Sequence, residues 1–120
     1  MTDSGSQFDL QTEEFENTLV INVTGRVDGM NTREFRSGLE QATRSYDGPA
    51  IILDFESLSY ISSAGLRVIL LVAEAMNRRS RKLALCSLPS AILEIIQTTG
   101  FDNIIDVYMS RSSAIEAVTR

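Results

Sequence analysis

The sequence predicts an α/β protein: a mainly parallel, mixed β-sheet with an antiparallel edge hairpin and about four helices. Three observations carry that prediction. Ala50 to Phe55 and Lys82 to Leu88 are short apolar runs flanked by turn residues, the pattern of central strands covered on both faces. Between them Leu66, Ile69, Leu70, Ala73 and Met76 recur at spacings of three and four, as on a helix with one buried side. Near the start, two alternating runs read as a hairpin. Strands separated by helices favour parallel pairing through right-handed crossovers.

In chain order, residues 1–7 read as a flexible tail, and residues 8–120 as one domain. Phe8 to Phe15 alternates loosely and suits a strand. Glu16-Asn17 is a turn. Thr18 to Thr24, with Leu19, Ile21 and Val23 on one side, is the second strand. Gly25-Arg26-Val27-Asp28-Gly29 reads as a loop. Asn31 or Thr32 caps a helix carrying Phe35, Leu39 and Ala42, which Asp47-Gly48-Pro49 ends. After the strand Ala50–Phe55 comes a polar turn, and the next helix starts near Ser63 or Ala64. Arg78 to Arg81 closes that helix with cations, which favour a helix C-terminus. Pro89 precedes a helix opened by Ser90, with Ile92, Ile95 and Ile96 on its apolar face and Gly100 as its stop. Ile104 to Tyr108 is a last strand, and Ser110 or Ser112 caps a last helix, Ser113 to Val118. The helices are short enough to share one face of the sheet, an arrangement the pattern alone does not decide.

Composition narrows the function. The chain has 120 residues, a formal net charge of −5 and no histidine. The acidic balance argues against nucleic acid or an anionic membrane as a partner. Without histidine the commonest general base, the usual nucleophilic triads and most transition-metal sites are lost, so a hydrolase is disfavoured and no metal is expected. The glycines form neither G-x-G-x-x-G nor G-x-x-x-x-G-K-[ST], and no cofactor is expected. No apolar run is long enough to span a bilayer and the first residues lack a signal-peptide pattern, so a cytoplasmic location is the default. Cys86, the one cysteine, sits in an apolar run and reads as an inert buried thiol. Asp54 has no evident partner in the sequence and reads as the mark of a strand end or an edge-facing position.

One segment combines the features of a site. In Tyr60-Ile61-Ser62-Ser63-Ala64-Gly65-Leu66-Arg67 a strand and polar turn lead into a helix through two serines. A hydroxyl there meets unpaired backbone N–H groups and the positive end of the helix dipole. Serine is also a good N-cap, worth about 1 kcal/mol, so a purely structural role competes. If Ser62 caps, Ser63 falls in the first turn with its side chain toward solvent. Gly65 permits close backbone approach by a partner or ligand. The Asp28 loop also follows a strand, and it shares the rim with the serines if the two strands are neighbours.

Those residues resemble the STAS-domain anti-sigma factor antagonist family. The resemblance rests on Gly25-Arg26-Val27-Asp28, on Leu53-Asp54-Phe55, and on Tyr60 through Val68. Leu85 to Ser90, Ile95 and Thr99-Gly100-Phe101 support it. It spans about residues 8–118. It implies a STAS-like sandwich and a cytoplasmic partner-switching protein that is not an enzyme. In such a circuit the unphosphorylated form binds an anti-sigma factor serine kinase with a histidine-kinase-like ATPase fold. Phosphorylation releases it, and a PP2C-type phosphatase resets it. The phosphoacceptor position falls on Ser63, with Ser62, where relatives commonly carry aspartate, as a minor candidate. Ala64 stands where relatives commonly carry a second hydroxyl residue. The resemblance implies partner contacts from Asp28, and the docking surface is expected to comprise Ser62, Ser63, Ala64, Gly65, Leu66 and Arg67, with Leu66 as an apolar anchor. A second expectation is a STAS docking subunit of a lipid or anion transporter without a phosphorylation cycle. A small-molecule or nucleotide module at the same rim ranks below both.

Overall fold

A computed structural model describes residues 7–119. Strand β1 (Phe8–Phe15) and strand β2 (Thr18–Val27) form the antiparallel hairpin. Glu16 and Asn17 both take positive φ, 45° and 68°, which suits the twist of a two-residue hairpin turn. Helix α1 (Thr32–Ser45), strand β3 (Ala50–Asp54), strand β4 (Leu58–Ile61), helix α2 (Ser63–Asn77) and strand β5 (Lys82–Cys86) follow. Helix α3 (Ser90–Thr99), a 3₁₀ turn (Phe101–Asn103), strand β6 (Asp106–Tyr108) and helix α4 (Arg111–Thr119) complete the chain. The six-stranded sheet runs β1-β2-β3-β5-β6, with β4 attached to β2 off that path. Every pairing except β1 with β2 is parallel. This is the mixed α/β architecture expected.

Three details differ from the sequence reading. First, Leu58–Ile61, expected inside a polar turn, is a strand. Leu58 and Ile61 are buried while Ser59 and Tyr60 face outward, so four residues never establish a clean alternation. Second, Gly25 to Val27 belongs to β2, not to a loop. The ladder with β4 shifts register between Gly25 and Arg26, a bulge that Gly25 allows with φ of 86°. A Cβ on Gly25 would stand 2.1 Å from the carbonyl oxygen of Gln7. Gln7, assigned to the tail, is tied down by that carbonyl, which accepts from Arg26 N–H at 2.9 Å. Residues 1–6 of the expected tail lie outside the described residues. Third, β6 begins at Asp106 because the backbone N–H groups of Ile104 and Ile105 both donate to Phe101 O and curl the chain first.

The helices occupy both faces. Phe35 and Leu39 of α1, Leu66, Ile69, Ala73 and Met76 of α2, and Ile92 and Ile96 of α3 pack on one side against Ile21, Val23, Ile51, Leu53, Leu83 and Leu85. Ile95, expected on the apolar face of α3, is instead 45% exposed. On the other side α4 covers a smaller cluster of Val20, Ile52, Ala84, Cys86 and Ala114. Alternation along β2, β3 and β5 divides the two clusters: neighbours in sequence point to opposite faces.

Arg81 has a fixed role that a solvated cationic run does not foresee. Its guanidinium donates to Thr43 O at 2.9 Å, to Gly48 O at 3.0 Å and to Tyr46 O, closing the C-terminal end of α1 from the neighbouring connection. Those carbonyls lack partners within the helix, and a cation satisfies them well.

Candidate functional site

β2 and β4 run parallel and end together, with Val27 opposite Ile61. The chain leaves β2 into the Asp28 turn and leaves β4 into the serine turn, so both turns lie on one rim. A hydrogen bond from Ser62 N–H to Val27 O, 2.9 Å, joins them. Ser59 Oγ donates to Gly25 O at 2.9 Å and fixes β4 to the bulge below.

The two serines divide their work. Ser62 has extended backbone (φ −79°, ψ 166°) and is the N-cap of α2; its Oγ accepts from Gly65 N–H at 3.1 Å. Ser63 is the first helical residue and its side chain is exposed, with no hydrogen bond to its hydroxyl among the described residues. Ala64 and Arg67 are exposed as well. No acidic residue stands in the first turn of α2. Among the described residues no side-chain carboxylate accepts a hydrogen bond from the orphan N–H groups of this helix end.

Gly65 and Leu66 do not face outward, against their expected place on the docking surface. Gly65 is buried, and a Cβ there would lie 2.7 Å from Ile61 Cγ1 and 3.0 Å from Val27 Cγ1. Its smallness lets the first turn of α2 settle onto the ends of β2 and β4. Leu66 is 5% exposed and belongs to the main core. Both hold the turn from beneath, so neither offers a side chain to a partner.

Asp28 organises the adjacent turn. Its Oδ1 accepts from Met30 N–H at 2.9 Å and its Oδ2 from Arg26 Nε at 3.3 Å. Asn31, 2% exposed, accepts from Asp28 N–H and donates to Arg26 O, each at 2.9 Å. Asn31 occupies the cap position of α1 yet makes no side-chain cap bond, because both ends of its amide are engaged in this turn. The structure adds three residues to the rim that were not among the expected contacts: Arg26 and Tyr60, which the motifs contain, and Met30. Arg26 stacks over the Tyr60 ring at 4.3 Å from its centroid, and Met30 stands 89% exposed at the tip. Only the unseen β4 brings Tyr60 beside Arg26. The signal for Met30 was its place between two turn residues, Gly29 and Asn31.

Asp54 is buried at the end of β3 and has a partner after all: Arg111, at the start of α4. Arg111 also donates to Glu13 Oε1 at 2.6 Å and to Asn22 Oδ1. Burial works to discharge this guanidinium, but its bonds to Asp54 and Glu13 outweigh that and hold its pKa above the ordinary value. Cys86, beside Asp54 across the β3–β5 ladder, has its thiol pushed up to about 11, first by burial and then by the Asp54 charge. At neutral pH it is an unreactive thiol. Among the described residues no group of three or more His, Cys, Asp or Glu is placed to hold a metal ion, and no helix is long and apolar enough to cross a membrane.

The structure is thus an α/β domain: a mixed sheet with helices on both faces and a serine turn and an acidic turn on one rim. The chain belongs to the STAS domain family, whose model matches residues 9–114. Its relatives include BtrV, a candidate anti-sigma factor antagonist of Bordetella bronchiseptica, 34% identical over 90% of this chain and 92% of BtrV. An anti-sigma factor antagonist from Mycobacterium paratuberculosis superposes with a TM-score of 0.85 at 18% identity, covering 100% of both chains. The unphosphorylated form of the anti-sigma factor antagonist SpoIIAA gives 0.74 at 22% identity, over 92% of this chain and 96% of that one. The phosphorylated form of SpoIIAA, a Bacillus cell fate determinant, gives 0.70 at 22% identity, over 92% and 99%. These solved structures share the fold.

Proposed function

We propose that the chain is an anti-sigma factor antagonist that switches partners through a phosphate on Ser63. The observation that carries this reading is the division of the two serines. Ser62 Oγ is committed to the cap, and Ser63 Oγ, at the same helix end, is exposed with no hydrogen-bond partner among the described residues. The names of the relatives support the antagonist role, and the SpoIIAA pair supports a protein that exists with and without phosphate.

The partner in this reading is an anti-sigma factor serine kinase, which docks over Ser63, Ala64, Arg67 and the Asp28 turn. The protein acts by binding and carries no catalysis of its own. Phosphoserine adds a charge of about −1.5 to −2, which the acid-free first turn of α2 accommodates. An interface pressed onto that turn does not: an unpaired buried charge costs several kcal/mol, and each 1.4 kcal/mol is about tenfold in affinity. A PP2C-type phosphatase in the cytoplasm restores the binding form.

The test is affinity capture from native lysate with wild-type, Ser63→Ala and Ser63→Asp baits, followed by phosphosite mapping. Wild type and Ser63→Ala are expected to retain a histidine-kinase-like ATPase, and Ser63→Asp to lose it. Equal retention by Ser63→Asp, or recovery of a membrane transporter in place of the kinase, would overturn the reading. Phosphate on Ser62 alone would move the acceptor by one residue.

A further inference from the structure

A second surface lies at the opposite end of α2. Both α1 and α2 return from the serine rim to the edge where β3 and β5 begin, so their C-terminal halves lie side by side there. Between them runs a groove of about 510 Å³. Leu71, Val72, Ala75 and Met76 supply its apolar lining, with Val72 and Met76 buried and Ala75 exposed. Five of the chain's eleven cationic side chains line it against two carboxylates, Glu40 and Asp47, a local excess of positive charge on a chain that as a whole carries −5.

Two of these arginines are spoken for. Arg36 pairs with Glu40 at 3.0 Å, one turn along α1. Arg81 is spent on the carbonyls that end α1. Arg44, Arg78 and Arg79 have no side-chain hydrogen bond or salt bridge among the described residues. Compensation of helix dipoles accounts for cations near a helix end, but it does not account for three uncommitted guanidinium groups, Arg44 from the last turn of α1 and Arg78 and Arg79 from the end of α2 and the turn after it, lining one partly apolar trough.

We propose that this groove docks an acidic amphipathic helix of a partner protein. A trough between two side-by-side helices takes a third helix lengthwise, with its apolar side on Leu71 and Ala75. The arginines on both banks then meet Glu or Asp from the helix edges, and guanidinium groups pair such carboxylates in forked geometry. Opposite potentials select the partner and steer its approach. α2 has 15 residues, so the groove sits about 20 Å from Ser63 at a rise of 1.5 Å per residue. The proposal is independent of the phosphate switch.

The full chain, labelled with nitrogen-15, is titrated with an acidic amphipathic peptide of about 18 residues built from Glu, Leu and Ala, long enough to form a helix alone. Controls are a scrambled peptide of the same composition, the Glu-to-Lys counterpart, inorganic phosphate and ATP. Saturable amide shifts at Arg44, Leu71, Ala75 and Arg78 with the acidic helix alone are the expected result. The double variant Arg44→Glu, Arg79→Glu should bind at least about tenfold more weakly while its spectrum away from the groove is unchanged. Ser63→Asp should bind the peptide as wild type does. Shifts scattered over the surface, equal binding by the double variant, or no groove shifts at millimolar peptide would overturn the proposal. So would groove shifts with phosphate or ATP and none with the peptide, which would make the trough a small-anion site.

Discussion

Arg111 Nε lies 2.9 Å from Oδ2 of Asp54, which ties the first turn of α4 to the end of β3 across 57 residues of chain. Asp54 is 2% exposed and Arg111 32%, so the pair is buried on one side and partly open on the other. Removing one member of a buried pair costs more than the pair itself contributes, because the remaining charge is stranded. Arg111→Ala is expected to lower stability by about 2–4 kcal/mol, below the fully buried range because Arg111 is partly solvated. Asp54→Asn should cost less, since it strands no buried charge. Urea unfolding of both variants checks the order, and a loss under about 0.5 kcal/mol for Arg111→Ala would show the pair to be idle.

The thiol of Cys86 makes stability fall in alkali. Its pKa is about 11 in the fold against 9.0 for the unperturbed group. Below pH 9 the thiol is neutral in both states and contributes no pH dependence. Between the two values the folded chain keeps a proton that the unfolded chain has lost, so stability declines with rising pH, by up to about 3 kcal/mol beyond pH 11. The Tyr46 hydroxyl, raised by burial and then by Glu14, adds to the decline in the same direction. Cys86→Ala should flatten the curve between pH 9 and 11 while leaving the Tyr46 contribution. Denaturant titrations at stepped pH measure the difference.

Gly65→Ala is expected to destabilise by about 1–3 kcal/mol despite alanine's better helix propensity. The added methyl enters the space of Ile61 and Val27 and lifts the first turn of α2. Amide shifts of Ser63 and Ala64 should move together with the loss. Ile61→Val in the same chain should recover part of it by making room.

Ser62→Ala and Ser63→Ala should differ sharply in their effect on folding. The first removes the bond to Gly65 N–H and should cost about 1 kcal/mol. The second removes an exposed hydroxyl and should fall within about 0.5 kcal/mol of wild type. Thermal unfolding of the two variants separates cap from free hydroxyl without any partner present.

The strands with strong apolar content, β2, β3 and β5, were legible because burial on both faces leaves little room for polar residues. The serine turn was legible because capping chemistry is local. What was hidden depends on distant pairing. The strand at Leu58–Ile61 exists because β2 is long enough to lend its far end to it. The partner of Asp54 sits 57 residues on, and Arg111 looked like any surface cation. Gly65 and Leu66 stood within the motif, yet only packing against Ile61 and Val27 turns the glycine inward. The side of the sheet taken by α4 is likewise a choice of tertiary packing, made by Ala114 against Val20, Ile52, Ala84 and Cys86.

The acid-free start of α2 sets a local potential opposed to that of the whole molecule. The chain is an anion of charge −5, yet this corner presents the equivalent of about half a positive charge from the helix end, with Arg67 one turn below. An anionic group approaching from solution is repelled at long range and held at contact. Salt screens the first effect beyond about 8 Å at physiological strength and reaches the second much less. Raising the ionic strength should therefore speed encounter at this rim with little effect on what happens once the surfaces meet.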